Sequence, residues 1–243
     1  MQNSQSTLEK DLHLQGYRFY QYCCVLIAIL FCQTTFATNH TENWNTAIIT
    51  GTLIKNTNFK YYIQPELGFE DDKYVYRSAN LFLGAGYQFS PIITLWLMDS
   101  WHNRRRTNGD FENLNTIRQQ LDWHPIIKDS FTLTCLTRLE ERKNYAEPQW
   151  AIRLRERIIL RVPFKFWENH SFVTFNEIYF DLTNPPWINS NSFIGQNHAF
   201  IGIGTKLSNT VSFDLGYLNQ YQLRTTGNQI NNVLYLLFNV ALP

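Results

Sequence analysis

The sequence predicts an all-β chain: an antiparallel transmembrane β-barrel of ten to twelve strands, twelve favoured, preceded by a cleavable signal peptide. Three observations carry this expectation. Beyond residue 37, apolar and polar residues alternate in runs of about ten, broken by turn residues and almost free of helical periodicity. Aromatic residues make up 16% of the chain, with 18 Phe, 13 Tyr and 7 Trp, many near the ends of those runs. Strands and membrane interfaces both favour such residues. Finally, the mean hydropathy of −0.30 is far too polar for a bundle of membrane helices.

The N-terminal segment comes first. Residues 22–32 are an apolar run, Tyr-Cys-Cys-Val-Leu-Ile-Ala-Ile-Leu-Phe-Cys. A spanning helix needs about 20 residues, so this length suits the core of a secretory signal. Lys10 and Arg18 precede it, and Thr35-Phe36-Ala37 offers a small-x-small cleavage site. Residues 1–37 therefore read as a signal peptide and 38–243 as one barrel domain; an uncleaved anchor is the alternative for the leading segment. Cleavage would remove Cys23, Cys24 and Cys32. Only Cys135 would remain, on the apolar face of a strand, where it reads as a small packed hydrophobe.

The strands follow in order. Candidates are 46–55, 59–70, 78–89, 92–102, 112–123, 130–142, 150–162, 171–181, 196–207, 211–222 and a last run from Ile230 to Leu242. In 59–70, Phe59, Tyr61, Ile63, Pro65, Leu67 and Phe69 share one face and Lys60, Tyr62, Gln64, Glu66, Gly68 and Glu70 the other. The 78–89 run repeats this, with Ala79, Leu81, Leu83, Ala85, Tyr87 and Phe89 outward. Eleven segments result. Bacterial single-chain barrels have even strand numbers, so 38–45 is expected to add a partial twelfth. Short connections at Ser90-Pro91, 124–129 and 208–210 alternate with longer ones at 103–111, 143–149 and 182–195, the pattern of periplasmic turns and outer loops. Glu156 breaks the pattern, since it falls on the apolar face of Ile152, Leu154, Ile158 and Leu160. A bulge that turns it inward is the expected remedy.

The polar faces carry a charge cluster: Arg118, Arg138, Glu140, Arg142, Arg153, Arg155, Arg157 and Glu177. Arg161, Lys60, Lys206, Glu66, Glu70, Asp122, Asp181 and Asp214 have the same orientation. In a narrow barrel such residues fill the lumen with paired charges. Rings of Arg also select anions, so an anion-contacting constriction is the competing reading. Pairing 150–162 with 171–181 as a hairpin places Arg155 opposite Glu177 and Arg153 opposite Tyr179. Candidate hydrolytic pairs are Ser100 with His102, and His198 near Glu177, but neither has a distinctive spacing. His40, His102, His124, His170 and His198 lie in different segments without metal-ligand spacing, and no cofactor motif is present. Arg104-Arg105-Arg106, in a longer connection, suits contact with lipopolysaccharide phosphates.

The run Arg138-Leu-Glu-Glu-Arg142, the ladder Arg153-Leu-Arg155, Asn176-Glu177-Ile-Tyr-Phe180, Gln196-Asn197 and Gly216-Tyr-Leu-Asn-Gln-Tyr221 occur together in this order. In this the chain resembles an uncharacterised family of outer-membrane barrels, domain of unknown function 2490, over roughly residues 44–243. His198 departs from that pattern, in which Arg is expected after the Gln-Asn pair. The resemblance implies an exported barrel and no established activity.

These readings place the chain in the outer membrane of a Gram-negative bacterium. Its expected partners are outer-membrane lipids and lipopolysaccharide, and the barrel-assembly machinery. A net charge of +1 gives no reason to expect nucleic acid. The leading function is a structural or accessory barrel with a charge-paired, largely closed lumen. A narrow anion-preferring pore and an outer-membrane lipid-modifying enzyme are the alternatives.

Overall fold

The structure is a computed structural model that describes residues 38–70, 75–105, 109–188, 190 and 192–243. The expected signal peptide, 1–37, lies outside them. The described chain is all β. Its strands are β1 (Thr38–Thr52), β2 (Phe59–Glu70), β3 (Val75–Ser90), β4 (Ile93–Arg105), β5 (Phe111–Lys128), β6 (Phe131–Asn144), β7 (Trp150–Pro163), β8 (His170–Asp181), β9 (Ile194–Lys206), β10 (Val211–Gln222) and β11 (Gln229–Ala241). Each strand pairs with its sequence neighbours, and β1 pairs with β11 to close a barrel.

The described residues form eleven strands, not the favoured twelve. Residues 38–45 are the first half of β1, because Glu42, Trp44 and Thr46 continue one inward-facing alternation. In an antiparallel meander of odd count the first and last strands run the same way, so the closing pair must be parallel. That pair extends in register from Thr38 opposite Gln229 to Thr50 opposite Ala241. All other pairings are antiparallel.

Glu70 and Val75, Arg105 and Phe111, Asn144 and Trp150, Asp181 and Ile194, and Gln222 and Gln229 are the strand ends at one mouth, the loop end. The connections at 53–58, 91–92, 129–130, 164–169 and 207–210 gather at the other, the turn end. One expected turn is absent: 124–128 continues β5 through a bulge between Trp123 and Ile126. Pro125, which has no N–H to give a ladder, sits inside that bulge. At the turn end, Asn56 and Asn169 adopt φ of 60° and 62°, the left-handed conformation that Asn tolerates in tight turns.

Side-chain alternation sorts the rest. Outward residues toward the turn end are apolar and well exposed, among them Leu83, Leu95, Leu97, Ile158, Leu215 and Leu234. Exposed aromatics mark both ends of this surface, with Phe59, Phe89 and Trp123 toward the turn end and Phe111, Trp150 and Phe193 toward the loop end. Closer to the loop end the outer face carries paired polar groups. Asn115 donates to Asp99 (2.7 Å), Gln119 to Glu141 (3.2 Å), and Asn176 and Asn197 to each other (3.3 and 3.2 Å). Glu156 belongs to this set. It stays outward, with no bulge in β7, and accepts from Thr137 at 2.8 Å.

Inside, glycines make room for bulky neighbours. A Cβ on Gly86 would fall 2.3 Å from the Trp96 ring, and one on Gly216 would fall 2.2 Å from the Ile201 carbonyl and 2.5 Å from the Gly202 backbone. Backbone cannot swing aside as a side chain can. Gly216→Val is therefore expected to prevent formation of the folded species seen as a heat-modifiable band on gels, and a wild-type-like band would contradict this packing.

Candidate functional site

Strand parity alone points Arg118, Arg138, Glu140, Arg142, Arg153, Arg155, Arg157 and Glu177 into the lumen, from four successive strands, β5 to β8. The register then decides who meets whom. Arg118, Glu140, Arg153 and Asp181 share one rung, and Arg157 lies opposite Glu177. This is two residues away from the expected pairing, and Arg155 is opposite Tyr179 instead. The expected Arg155–Glu177 contact survives as a diagonal one, at 3.0 Å, because long side chains span diagonal neighbours.

Two carboxylates organise the cluster. Glu140, 1% exposed, accepts from Arg118 (3.0 Å), Arg153 (2.5 Å) and Arg155 (2.5 Å). Glu177, 0% exposed, accepts from Arg138 (3.2 Å), Arg155 (3.0 Å) and Arg157 (2.8 Å), and from the Tyr179 hydroxyl (2.8 Å). Arg155 thus bridges both acids, and its guanidinium also donates to Tyr179 Oη at 2.8 Å. Aromatic faces support the cations: Arg118 lies over Phe82 (3.9 Å), Arg155 over Tyr179 (4.4 Å) and Arg157 over Phe175 (4.6 Å). Such stacking is favourable for desolvated guanidinium groups.

Arg142 stands apart from the cluster. It faces the lumen two residues along β6 from Glu140, toward the loop end, and among the described residues it has no ion pair and donates no hydrogen bond. Its guanidinium lies 5.6 Å from the Trp187 ring. Buried nitrogens without partners occur on Arg118 (Nη1), Arg155 (Nε) and Arg157 (Nε).

The cluster lies between two cavities. One, about 270 Å³, occupies the loop-end half and is lined by Arg118, Glu140, Arg142, Arg153 and Arg155 among others. The other, about 320 Å³, occupies the turn-end half and is lined by Arg138, Tyr62, Asp122, Arg161 and Asp214. Arg157 and Tyr235 touch both. In the turn-end cavity Arg161 Nη2 donates to both carboxylate oxygens of Asp214 at 2.8 Å, while its Nη1 donates to Ser171 Oγ at 3.0 Å.

Sequence parity missed several contributors. Arg77 reaches the loop-end cavity because it is the extra residue of a bulge between β2 and β3, and bulges re-aim side chains. Arg104, expected in an outer loop, turns inward onto Glu112 at 2.7 Å, and Arg106 lies outside the described residues. Glu42 and Arg224 also line this cavity.

Both expected hydrolytic pairs are brought together. Ser100 Oγ lies 2.8 Å from His102 Nε2. However, Ser100 is 2% exposed and its hydroxyl donates to the Thr116 carbonyl at 3.1 Å. The Thr116 carbonyl and the imidazole nitrogen thus compete for the single hydroxyl proton of this buried serine. His198 Nδ1 lies 3.5 Å from Glu177 and 3.1 Å from Tyr179 Oη. Glu177 is already engaged by three guanidinium groups, and no serine, threonine or cysteine hydrogen-bonds to His198 among the described residues.

Comparison with known proteins gives one positive finding. A family model described as "Protein of unknown function (DUF2490)" matches residues 41–231, from near the start of β1 to the start of β11. No curated protein and no solved structure matches the chain.

Proposed function

The chain belongs to this family of proteins of unknown function, and from that premise we propose that it is an outer-membrane β-barrel with a structural or accessory role, its lumen closed at mid-height. The observation that carries the reading is the layer in which Glu140 and Glu177 tie together Arg118, Arg138, Arg153, Arg155 and Arg157 between two separate cavities. A constriction built for ion passage needs binding weak enough to let ions leave. Here the guanidinium groups are already held by buried carboxylates.

Several features support membrane insertion. The strands run from 12 to 18 residues, above the 9–11 or so that a tilted spanning strand needs. Exposed large apolar residues stand on many strands toward the turn end, among them Leu83, Leu95, Leu97, Ile158, Ile203 and Leu215. Exposed aromatics lie toward both ends of the outer surface, where interfacial girdles belong. Glu156, midway along β7, faces outward with its carboxylate accepting from Thr137, which offsets part of the cost of that position. Outer-membrane lipids and lipopolysaccharide are the proposed surroundings, with the loop end outward, and the barrel-assembly machinery the proposed route of insertion.

A second reading, the narrow anion-preferring pore, is favoured by one observation: the loop-end cavity is lined by eight Arg against three Glu. Planar-bilayer recording of the refolded barrel separates the two. The closed-lumen reading expects no sustained conductance steps, whereas steady steps with anion-biased reversal potentials would establish the pore.

A further inference from the structure

The loop-end cavity has more cationic capacity than the closure of the lumen uses. Glu140 occupies one edge of Arg118 and of Arg153, yet Arg118, 3% exposed, keeps a buried Nη1 without a partner. Arg142 lines the same space without an ion pair among the described residues. These three guanidinium groups project from adjacent strands, β5, β6 and β7. Register places Arg142 only two residues along β6 from the rung that Arg118, Glu140 and Arg153 share. Of the eight Arg around the cavity, Arg77, Arg104, Arg155 and Arg157 pair with Glu70, Glu112 and Glu177, and Arg118 and Arg153 share Glu140, which leaves Arg142 as a lining cation without a carboxylate partner among the described residues. A buried guanidinium edge without an acceptor, such as Arg118 Nη1, is costly, and a small anion in this cavity would supply one.

We propose that this cavity binds a small phosphate monoester, with the phosphoryl group held by Arg118, Arg142 and Arg153. A tetrahedral dianion offers several oxygens in different directions, so three guanidinium forks from neighbouring strands can each meet one. The other wall carries Trp44, Gln220 and Asn231, an aromatic face with amide groups that suits a hydroxylated organic portion rather than a second charge. At about 270 Å³ the cavity sits just below the usual range for drug-sized ligands, roughly 300–1,000 Å³. It therefore takes a compact ester rather than a nucleotide. This goes beyond the closed-barrel reading and does not depend on it, since a binding chamber can lie above a closed or an open constriction.

The test is calorimetric titration of the refolded barrel in detergent micelles, in phosphate-free buffer at constant chloride, with inorganic phosphate and with glycerol 3-phosphate. Saturable binding is expected for both, tighter for the ester, with no heat from glycerol or acetate. Arg142→Gln should weaken binding at least tenfold, while Arg142→Lys, which keeps the charge but loses the fork, should fall between. Neither change breaks an ion pair, so heat-modifiable gel mobility should stay that of the wild type and report that the variant has folded. No saturable binding, or equal binding by folded Arg142→Gln, would overturn the proposal. Dihexanoyl phosphatidic acid distinguishes the source of the phosphoryl group. Binding of that lipid alone, with glycerol 3-phosphate silent, would overturn the assignment to a soluble ester.

Discussion

Glu177→Gln should lower the stability of the barrel by about 3–5 kcal/mol, the usual cost of leaving buried charge without its partner. Three guanidinium groups, on Arg138, Arg155 and Arg157, lose their common anion, while the neutral amide accepts only weakly and cannot balance them. Water in the two adjoining cavities pulls the loss toward the lower figure. The arrangement also predicts which second change restores stability. Arg155 retains Glu140, and Arg138 retains the Gln120 oxygen at 2.6 Å. Arg157 has Glu177 as its one carboxylate partner among the described residues and otherwise rests on Phe175. Arg157→Gln in the Glu177→Gln background should therefore recover more stability than Arg155→Gln in the same background. Urea unfolding followed by tryptophan fluorescence measures all four proteins. An unchanged midpoint for Glu177→Gln, or a better rescue by Arg155→Gln, would show that the cluster does not hold the lumen as described.

Removing the bridge should open the barrel. Arg155 is the side chain that joins the two acidic centres, so Arg155→Ser combined with Glu177→Ser leaves a gap where the two cavities approach each other. The variant is expected to show conductance steps on the order of tenfold or more above any wild-type leak, with anion preference, because ring-like Arg linings select anions. Arg118, Arg138, Arg153 and Arg157 remain to form that lining. Bilayer recording at two salt gradients gives both size and selectivity. A folded double variant as silent as the wild type would mean that other residues close the lumen, Tyr62, Phe82 and Tyr235 being the bulky inward candidates.

The fold was legible because a lumen and an apolar exterior impose period two on nearly every strand. Parity alone turned the eight cluster residues inward. What parity cannot supply is register: the six-residue connection 164–169 sets the β7–β8 offset, and an error of two residues preserves every face while exchanging every partner. Hence Glu177 is expected among Arg155, Arg157 and Arg138, as found, but its direct opposite is Arg157 rather than Arg155, and the Tyr179 hydroxyl joins it unforeseen. Bulges defeat parity as well, as Arg77 and the continuation of β5 past Trp123 show. The strand count failed for a different reason. Evenness is a habit of bacterial barrels rather than a requirement of closure, and the alternation through Glu42, Trp44 and Thr46 already belonged to the first full strand. The outward position of Glu156 became intelligible only once Thr137 and the surrounding amide pairs were seen beside it.

The parallel seam between β1 and β11 bears on how the barrel comes into being. Every other strand pair joins segments adjacent in sequence, so hairpins can zip one after another along the chain. The seam alone must unite residues some 190 positions apart, such as Thr38 and Gln229. Loop-closure entropy grows slowly with length, but long-range pairing is slow to find, and a parallel ladder is slightly weaker per residue than an antiparallel one. Until it forms, the sheet presents two unpaired edges, each a template for another chain. Closure is thus the expected late step of folding, and the open sheet before it the form with edges that another chain could extend.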